Sequence, residues 1–154
     1  MTSTSAMTRF VRLEDLTAWQ DRTVVVTGGT GSFGTALIGA VARLGLGLRG
    51  LRVFSRDEFK QAEMAARCSD PRVSFLIGDV RDRDRLRRAF TGADIVVHAA
   101  ALKQVPACEY NPVEAIRTNV DGAVQVAEAA LDVGVRRVIA LSTDKACQPC
   151  NLYG

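Results

Sequence analysis

Five short apolar runs punctuate the chain, and each of the first four leads into a longer stretch with apolar residues every third or fourth position. The runs are Thr23–Val26, Leu51–Phe54, Val73–Ile77, Asp94–His98 and Arg137–Leu141. They are rich in β-branched residues and too short for helices. Continuous apolarity, rather than strict alternation, marks strands buried on both faces. The helical stretches cover about residues 32–45, 57–67, 82–90 and 112–133. The last is the plainest: Asn111 can cap it, Pro112 suits its first position, Glu114 completes a capping box and Gly134 can end it. Ala115, Ile116, Val120, Ala123, Val124, Ala127 and Leu131 recur along it at helical spacing. Residues 1–21 are polar and irregular, with at most a short helix around Leu13 to Trp19.

Strands that alternate with helices form βαβ units, which close right-handed and build a parallel sheet covered on both sides. The expected fold class is therefore α/β, a doubly wound parallel sheet of the Rossmann type. It would occupy residues 22–154, behind an N-terminal polar extension of residues 1–21. Such sheets bind ligands beyond the carboxyl ends of their strands, so the residues that follow each strand carry the candidate chemistry.

After the first strand comes Thr27-Gly28-Gly29-Thr30-Gly31-Ser32-Phe33-Gly34, which opens a helix. Gly29, Gly31 and Gly34 have the spacing of a dinucleotide loop in the context that such a loop needs. Gly29 would permit the tight turn, Gly31 the close approach of a pyrophosphate, and Gly34 the packing of helix on strand. The phosphates would rest on free N–H groups at the positive end of the helix dipole. At the end of the second strand stand Ser55 and Arg56, with Lys60 one turn later. A hydroxyl with two cations suits a 2′-phosphate better than a 2′-hydroxyl, so NADP is the expected cofactor. Asp57 keeps the NAD alternative open. Asp79 and Val80 close the third strand where adenine would lie, while Asp82 can cap the following helix. Ala99 and Ala100 follow the fourth strand and leave room for the middle of the cofactor. His98, the sole histidine, reads as a structural hydrogen-bonding residue at a strand end.

Composition narrows the classes. A chain of 154 residues, 47% hydrophobic and 24% charged, has the make-up of one soluble globular domain. Its net charge of +3 gives no footprint for nucleic acid. No apolar run approaches the ~20 residues of a membrane span, and the first residues lack a signal-peptide core, so a cytoplasmic protein is expected. Cys147 and Cys150 have redox-motif spacing but follow the fifth strand instead of opening an early helix. They read as free thiols, and no metal site is expected.

The motifs TGGTGSFG, SRDEFKQ, GDVRD, HAAALKQVPACEYNP, TNVDGA and LSTDKACQPCNLYG together resemble the extended short-chain dehydrogenase/reductases. More narrowly, they are similar to the inverting UDP-N-acetylglucosamine 4,6-dehydratases of surface-polysaccharide and flagellar-sugar pathways. The resemblance implies a nucleotide-sugar dehydratase acting on a UDP-linked amino sugar, with NADP oxidising C4, water lost across C5 and C6, and hydride returned to C6. It implies Tyr153 as the base on the sugar 4-hydroxyl, Thr143 as hydrogen-bond partner of the 4-oxygen, Asp144 as acid for the departing hydroxyl and Lys145 as base at C5. Retaining relatives carry Asp-Glu after the threonine, so Lys145 points to the inverting branch. Lys103 falls near the expected pyrophosphate, and Thr118 and Asn119 where the family holds its cofactor-side helix against the site.

The resemblance covers the N-terminal half of such an enzyme. The lysine of the family's Tyr-x-x-x-Lys pair would lie beyond Gly154, as would the substrate lobe, so the expectation is a truncated chain with little turnover of its own and an open edge at the fifth strand. Homo-oligomers are expected for a full-length enzyme. A 4-epimerase or 5-epimerase of the same fold and a non-catalytic NADP-binding module are the alternatives.

Overall fold

The structure is a computed structural model and describes residues 17–149. Five parallel strands form one sheet in the order β3-β2-β1-β4-β5. They are β1 (Thr23–Thr27), β2 (Gly50–Ser55), β3 (Val73–Ile77), β4 (Ile95–His98) and β5 (Arg137–Ala140). The helices are α1 (Ser32–Arg43), α2 (Glu58–Arg67), α3 (Arg83–Phe90), α4 (Val105–Tyr110), α5 (Pro112–Ile116) and α6 (Gly122–Asp132). The strand order reverses at β1, where the chain crosses from β3 back to β4, and this switch point is where a doubly wound sheet opens a crevice.

Successive side chains of a strand point to opposite faces, and the core follows that rule. Val24 and Val26 of β1 join Leu51, Ile95 and Val97 under Val41, Leu46 and Leu48, with Trp19 packed at the margin. Val25 joins Phe54 and Val96 under Leu86 and Phe90 of α3 and Val126 and Ala129 of α6. All five residues of β1 are buried, which accounts for its unbroken β-branched sequence. At the opposite end, β5 pairs only with β4 among the described residues, and its four residues are exposed.

The long helix expected over residues 112–133 is a compound element. Between α5 and α6 lies a π-helical turn, Arg117–Asp121, in which the Gly122 N–H donates to the Arg117 carbonyl five residues back. One extra residue per turn shifts the register of everything after it. The buried side runs through Ala115, Thr118, Gly122, Val126 and Ala129. Ile116, Val120, Val124 and Leu131, which share the predicted spacing, are exposed. Asn111 makes no side-chain cap; its Nδ2 donates to the Ala107 carbonyl of α4, a helix the apolar pattern did not reveal. Glu114 closes no capping box and pairs with Arg81 and Arg117.

Candidate cofactor cleft and catalytic turn

The carboxyl ends of β1, β2, β4 and β5 border one cleft of about 640 Å³. Its floor is the turn that follows β1. Gly28 has φ +67, and a Cβ there would lie 2.7 Å from the Ala100 nitrogen, so only glycine lets this turn pass under the chain leaving β4. At Gly34 a Cβ would run into the Gly29 backbone, so the close contact here is of α1 with the loop after β1 and not with a strand. Thr30, Gly31, Ser32 and Phe33 line the cleft, whereas Gly29 and Gly34 sit behind it and shape the loop.

The start of α1 differs from those of its neighbours. Asp57 caps α2 by accepting from the Lys60 N–H, and Asp82 caps α3 by accepting from the Arg85 N–H. α1 has no side-chain cap and no acid in its first turn. Its free N–H groups and positive dipole end are thus left to a ligand, and an anionic one is favoured. On another wall of the cleft, Thr118 is 3% exposed and its Oγ1 has no hydrogen-bond partner among the described residues. A buried hydroxyl without a partner is costly unless something else supplies one. An uncapped helix start and an orphan hydroxyl facing one cleft are the features that a bound dinucleotide would satisfy, so the residues present fit that group.

The predicted cofactor residues largely converge. Ser55, Arg56, Lys60, Val80, Ala99, Ala100, Lys103 and Asn119 all line the cleft. Asp79 does not: its carboxylate accepts hydrogen bonds from the Arg81 guanidinium and backbone N–H and lies 3.7 Å from Arg56 Nη1. Partial burial works to raise its pKa, but the hydrogen bonds and charge of Arg81, with the charge of Arg56, outweigh it and hold it below the ordinary carboxylate value. Asp57, the residue that would have suited NAD, is engaged by the Lys60 N–H at 2.9 Å and by Lys60 Nζ at 3.2 Å. The Lys60 N–H bond is the main cause that lowers its pKa. His98 is buried with Nδ1 2.7 Å from Thr27 Oγ1, and burial lowers its pKa, so it stays neutral and ties β4 to β1.

The catalytic candidates divide. Thr143 lines the cleft at the end of the β5 strand, and its Oγ1 accepts from the Lys145 N–H and donates to Asp144 Oδ1 at 3.3 Å. Asp144 and Lys145 form a short 3₁₀ turn with their side chains 3.8 Å apart, 94% and 53% exposed. Tyr153 and Cys150 lie outside the described residues. Among the described residues no cluster of three or more His, Cys, Asp or Glu could hold a metal, and no helix is long and apolar enough to cross a membrane. The residue that sequence reasoning passed over is Gln61. It is 4% exposed, beneath Ser55; it closes the SRDEFKQ motif and stands as a polar residue at the buried position of an otherwise amphipathic helix.

Comparison with known proteins gives this geometry its relatives. A UDP-glucose 4-epimerase from Rickettsia conorii is 49% identical over 87% of the chain. A UDP-N-acetylglucosamine 4,6-dehydratase (inverting) from Campylobacter jejuni is 48% identical over 86% of it. The chain spans 40% of the length of each. Its fold matches that of the dTDP-glucose 4,6-dehydratase DesIV from Streptomyces venezuelae, solved with NAD bound, at TM-score 0.76 and 28% identity; the match covers 84% of this chain and 46% of that one. The profile of one family, described as polysaccharide biosynthesis protein, matches residues 24–154, and the chain belongs to that family.

Proposed function

We propose that this chain is the cofactor-binding part of an NADP-dependent, C5-inverting nucleotide-sugar 4,6-dehydratase acting on UDP-N-acetylglucosamine. The observation that carries the reading is the Thr143-Asp144-Lys145 turn: the Thr143 hydroxyl lines the cleft, and an acid and an amine follow it directly in the chain. The bound dinucleotide would supply the hydride acceptor at sugar C4 and the donor at C6. Arg56, Lys60 and the Ser55 hydroxyl would hold its 2′-phosphate, and the uncapped start of α1 its pyrophosphate.

The chain's own groups would do the rest. Tyr153 would take the proton of the sugar 4-hydroxyl, and Thr143 would donate a hydrogen bond to the 4-oxygen. Asp144 would give a proton to the departing hydroxyl and Lys145 would take the proton from C5; their side chains lie 3.8 Å apart.

The second reading, a UDP-sugar 4-epimerase, is favoured by the equal identity of relatives that bear that name. Mass analysis separates the two. The chain, alone and joined to the C-terminal portion of the Campylobacter jejuni dehydratase, is incubated in deuterated water with NADP and UDP-N-acetylglucosamine. A product lighter by one water that carries deuterium at C5 supports dehydration with exchange at C5. An isomer of unchanged mass would replace this reading with the epimerase.

A further inference from the structure

Gln61 lies one layer behind the cleft, on α2, with its side-chain amide turned in under the ends of β2 and β3. Its Nε2 reaches three acceptors: Ser55 Oγ at 2.9 Å, the Leu76 carbonyl at 2.9 Å and the Ser55 carbonyl at 3.1 Å. Two of these are carbonyl oxygens, so the amide nitrogen, not the oxygen, must face them; the network fixes the orientation. The Ser55 carbonyl also accepts from the Gly78 N–H at 3.0 Å. With two hydrogens to give, Gln61 serves the Leu76 carbonyl and the Ser55 pair.

The consequence falls on the Ser55 hydroxyl. Its oxygen is an acceptor towards Gln61, and its own hydrogen has no acceptor among the described residues. Ser55 lines the cleft beside Arg56 and Lys60. A hydroxyl held this way presents its proton to the cleft, where two cations already favour an anion. A freely rotating serine would divide its time between donating and accepting.

We propose that Gln61 is a positioning residue for cofactor choice: it fixes Ser55 as a hydrogen-bond donor to the 2′-phosphate of the bound dinucleotide. This rests on the NADP reading above and adds to it the group that sets the polarity of the serine. Gln61 touches no ligand; its effect passes through one hydroxyl.

Calorimetric titration of the protein with adenosine 2′,5′-bisphosphate and with 5′-AMP tests the proposal, because the two probes differ only in the 2′-phosphate. The wild-type protein should prefer the bisphosphate. Gln61→Met should weaken bisphosphate binding about tenfold, the range of a hydrogen bond to a charged group, and leave 5′-AMP binding within about twofold. Ser55→Ala should do the same, and the double variant should lose little more than either single one. Equal losses for both probes in Gln61→Met would make Gln61 a mere tie between β2 and β3 and overturn the proposal; so would an unchanged preference. Where Gln61→Met shows no cooperative unfolding, Ser55→Ala decides, since it leaves the bond to Leu76 in place: a selective loss of the bisphosphate upholds the proposal, and no selective loss ends it. A wild-type protein indifferent to the 2′-phosphate would overturn the NADP reading itself, and the role of Gln61 with it.

Discussion

Asn119 holds Leu102 by both of its backbone polar groups: Oδ1 accepts from the Leu102 N–H at 2.8 Å, and Nδ2 donates to the Leu102 carbonyl at 2.9 Å. A side-chain amide here does what a neighbouring strand would do for an irregular segment. It closes the loop that leaves β4 and fixes Ala100, Ala101 and Lys103 along one side of the cleft. Asn119 lies in the π-helical turn, next to the buried Thr118 that lines the same cleft. Asn119→Ala removes both bonds and strands two part-buried backbone groups. It should cost about 1–3 kcal/mol in urea unfolding and weaken dinucleotide binding. Asn119→Asp, which retains only an acceptor, should recover little of either loss.

Gly28→Ala should disrupt the loop after β1. The added methyl would meet backbone atoms of Ala99 and Ala100 at 2.7–2.8 Å, and φ +67 disfavours any L side chain. Backbone cannot step aside as a flexible side chain can, so β1 and the segment after β4 must part. Loss of the cooperative thermal transition, or a fall in its midpoint with no rescue by NADP, is the expected result. Binding at wild-type strength would mean that the turn is not the floor of the cofactor site.

Arg56 and Asp79 lie 3.7 Å apart, and Asp79 retains its hydrogen bonds from Arg81 when Arg56 is removed. Arg56→Ala should therefore leave folding nearly intact, since an exposed pair of this kind contributes little. Its effect should appear in the cofactor: about tenfold weaker binding of NADP, with NAD binding almost unchanged, read by fluorescence titration. Equal weakening for both dinucleotides would remove Arg56 from the 2′-phosphate site.

The parts of the fold legible from sequence were those where one local rule decides. β1 is β-branched at every position because both its faces are covered, and the loop from Gly28 to Gly34 declares itself through glycines, of which Gly28 and Gly34 leave no room for a Cβ. The helix over 112–133 was half legible. Its length and its start at Pro112 were written in the sequence, but the π-helical turn is not a matter of residue preference. Burial follows Ala115, Thr118, Gly122 and Val126 instead, and Ile116, Val120 and Val124 are exposed against expectation. α4 was missed because a six-residue helix is too short to display a period. At the site, residues that meet the ligand lie just past strand ends and can be found by position. Gln61 acts from behind another side chain, and no spacing announces a role of that kind.

Lys145 offers the sharpest separation of binding from chemistry. Its side chain is exposed and, among the described residues, its ion pair is with Asp144, so Lys145→Met should leave unfolding and NADP binding as they were. In the chimera with the dehydratase C-terminal portion, this variant should lose exchange of the C5 proton with deuterated water and release no dehydrated product. An unchanged C5 exchange rate would assign the base to another residue.

Asp94 anchors the opposite end of the sheet, and its influence should show in acid. One oxygen accepts from the Thr23 N–H and from Arg49 at 2.9 Å each, and the other from Arg22 at 3.2 Å, so one carboxylate joins β1 to the start of β4. The Thr23 N–H is the largest cause that lowers its pKa; the hydrogen bond from Arg22 and the charges of Arg49 and Arg22 reinforce it against partial burial. A carboxyl whose folded pKa lies below its unfolded one stabilises the fold in full above the unfolded value, about 3.9 for aspartate. That contribution is lost as pH falls through the depressed folded value. Asp94→Asn keeps the shape but removes the charge, and its amide can present only one acceptor atom to three donors. It should destabilise the protein by about 1–3 kcal/mol at neutral pH. Below about pH 4 the gap between variant and wild type should narrow, because the wild-type carboxylate is then protonated too. Urea midpoints measured from neutral pH into that acid range decide the matter. A gap that stays constant across the range would mean that the Asp94 contribution comes from packing alone and not from its charge.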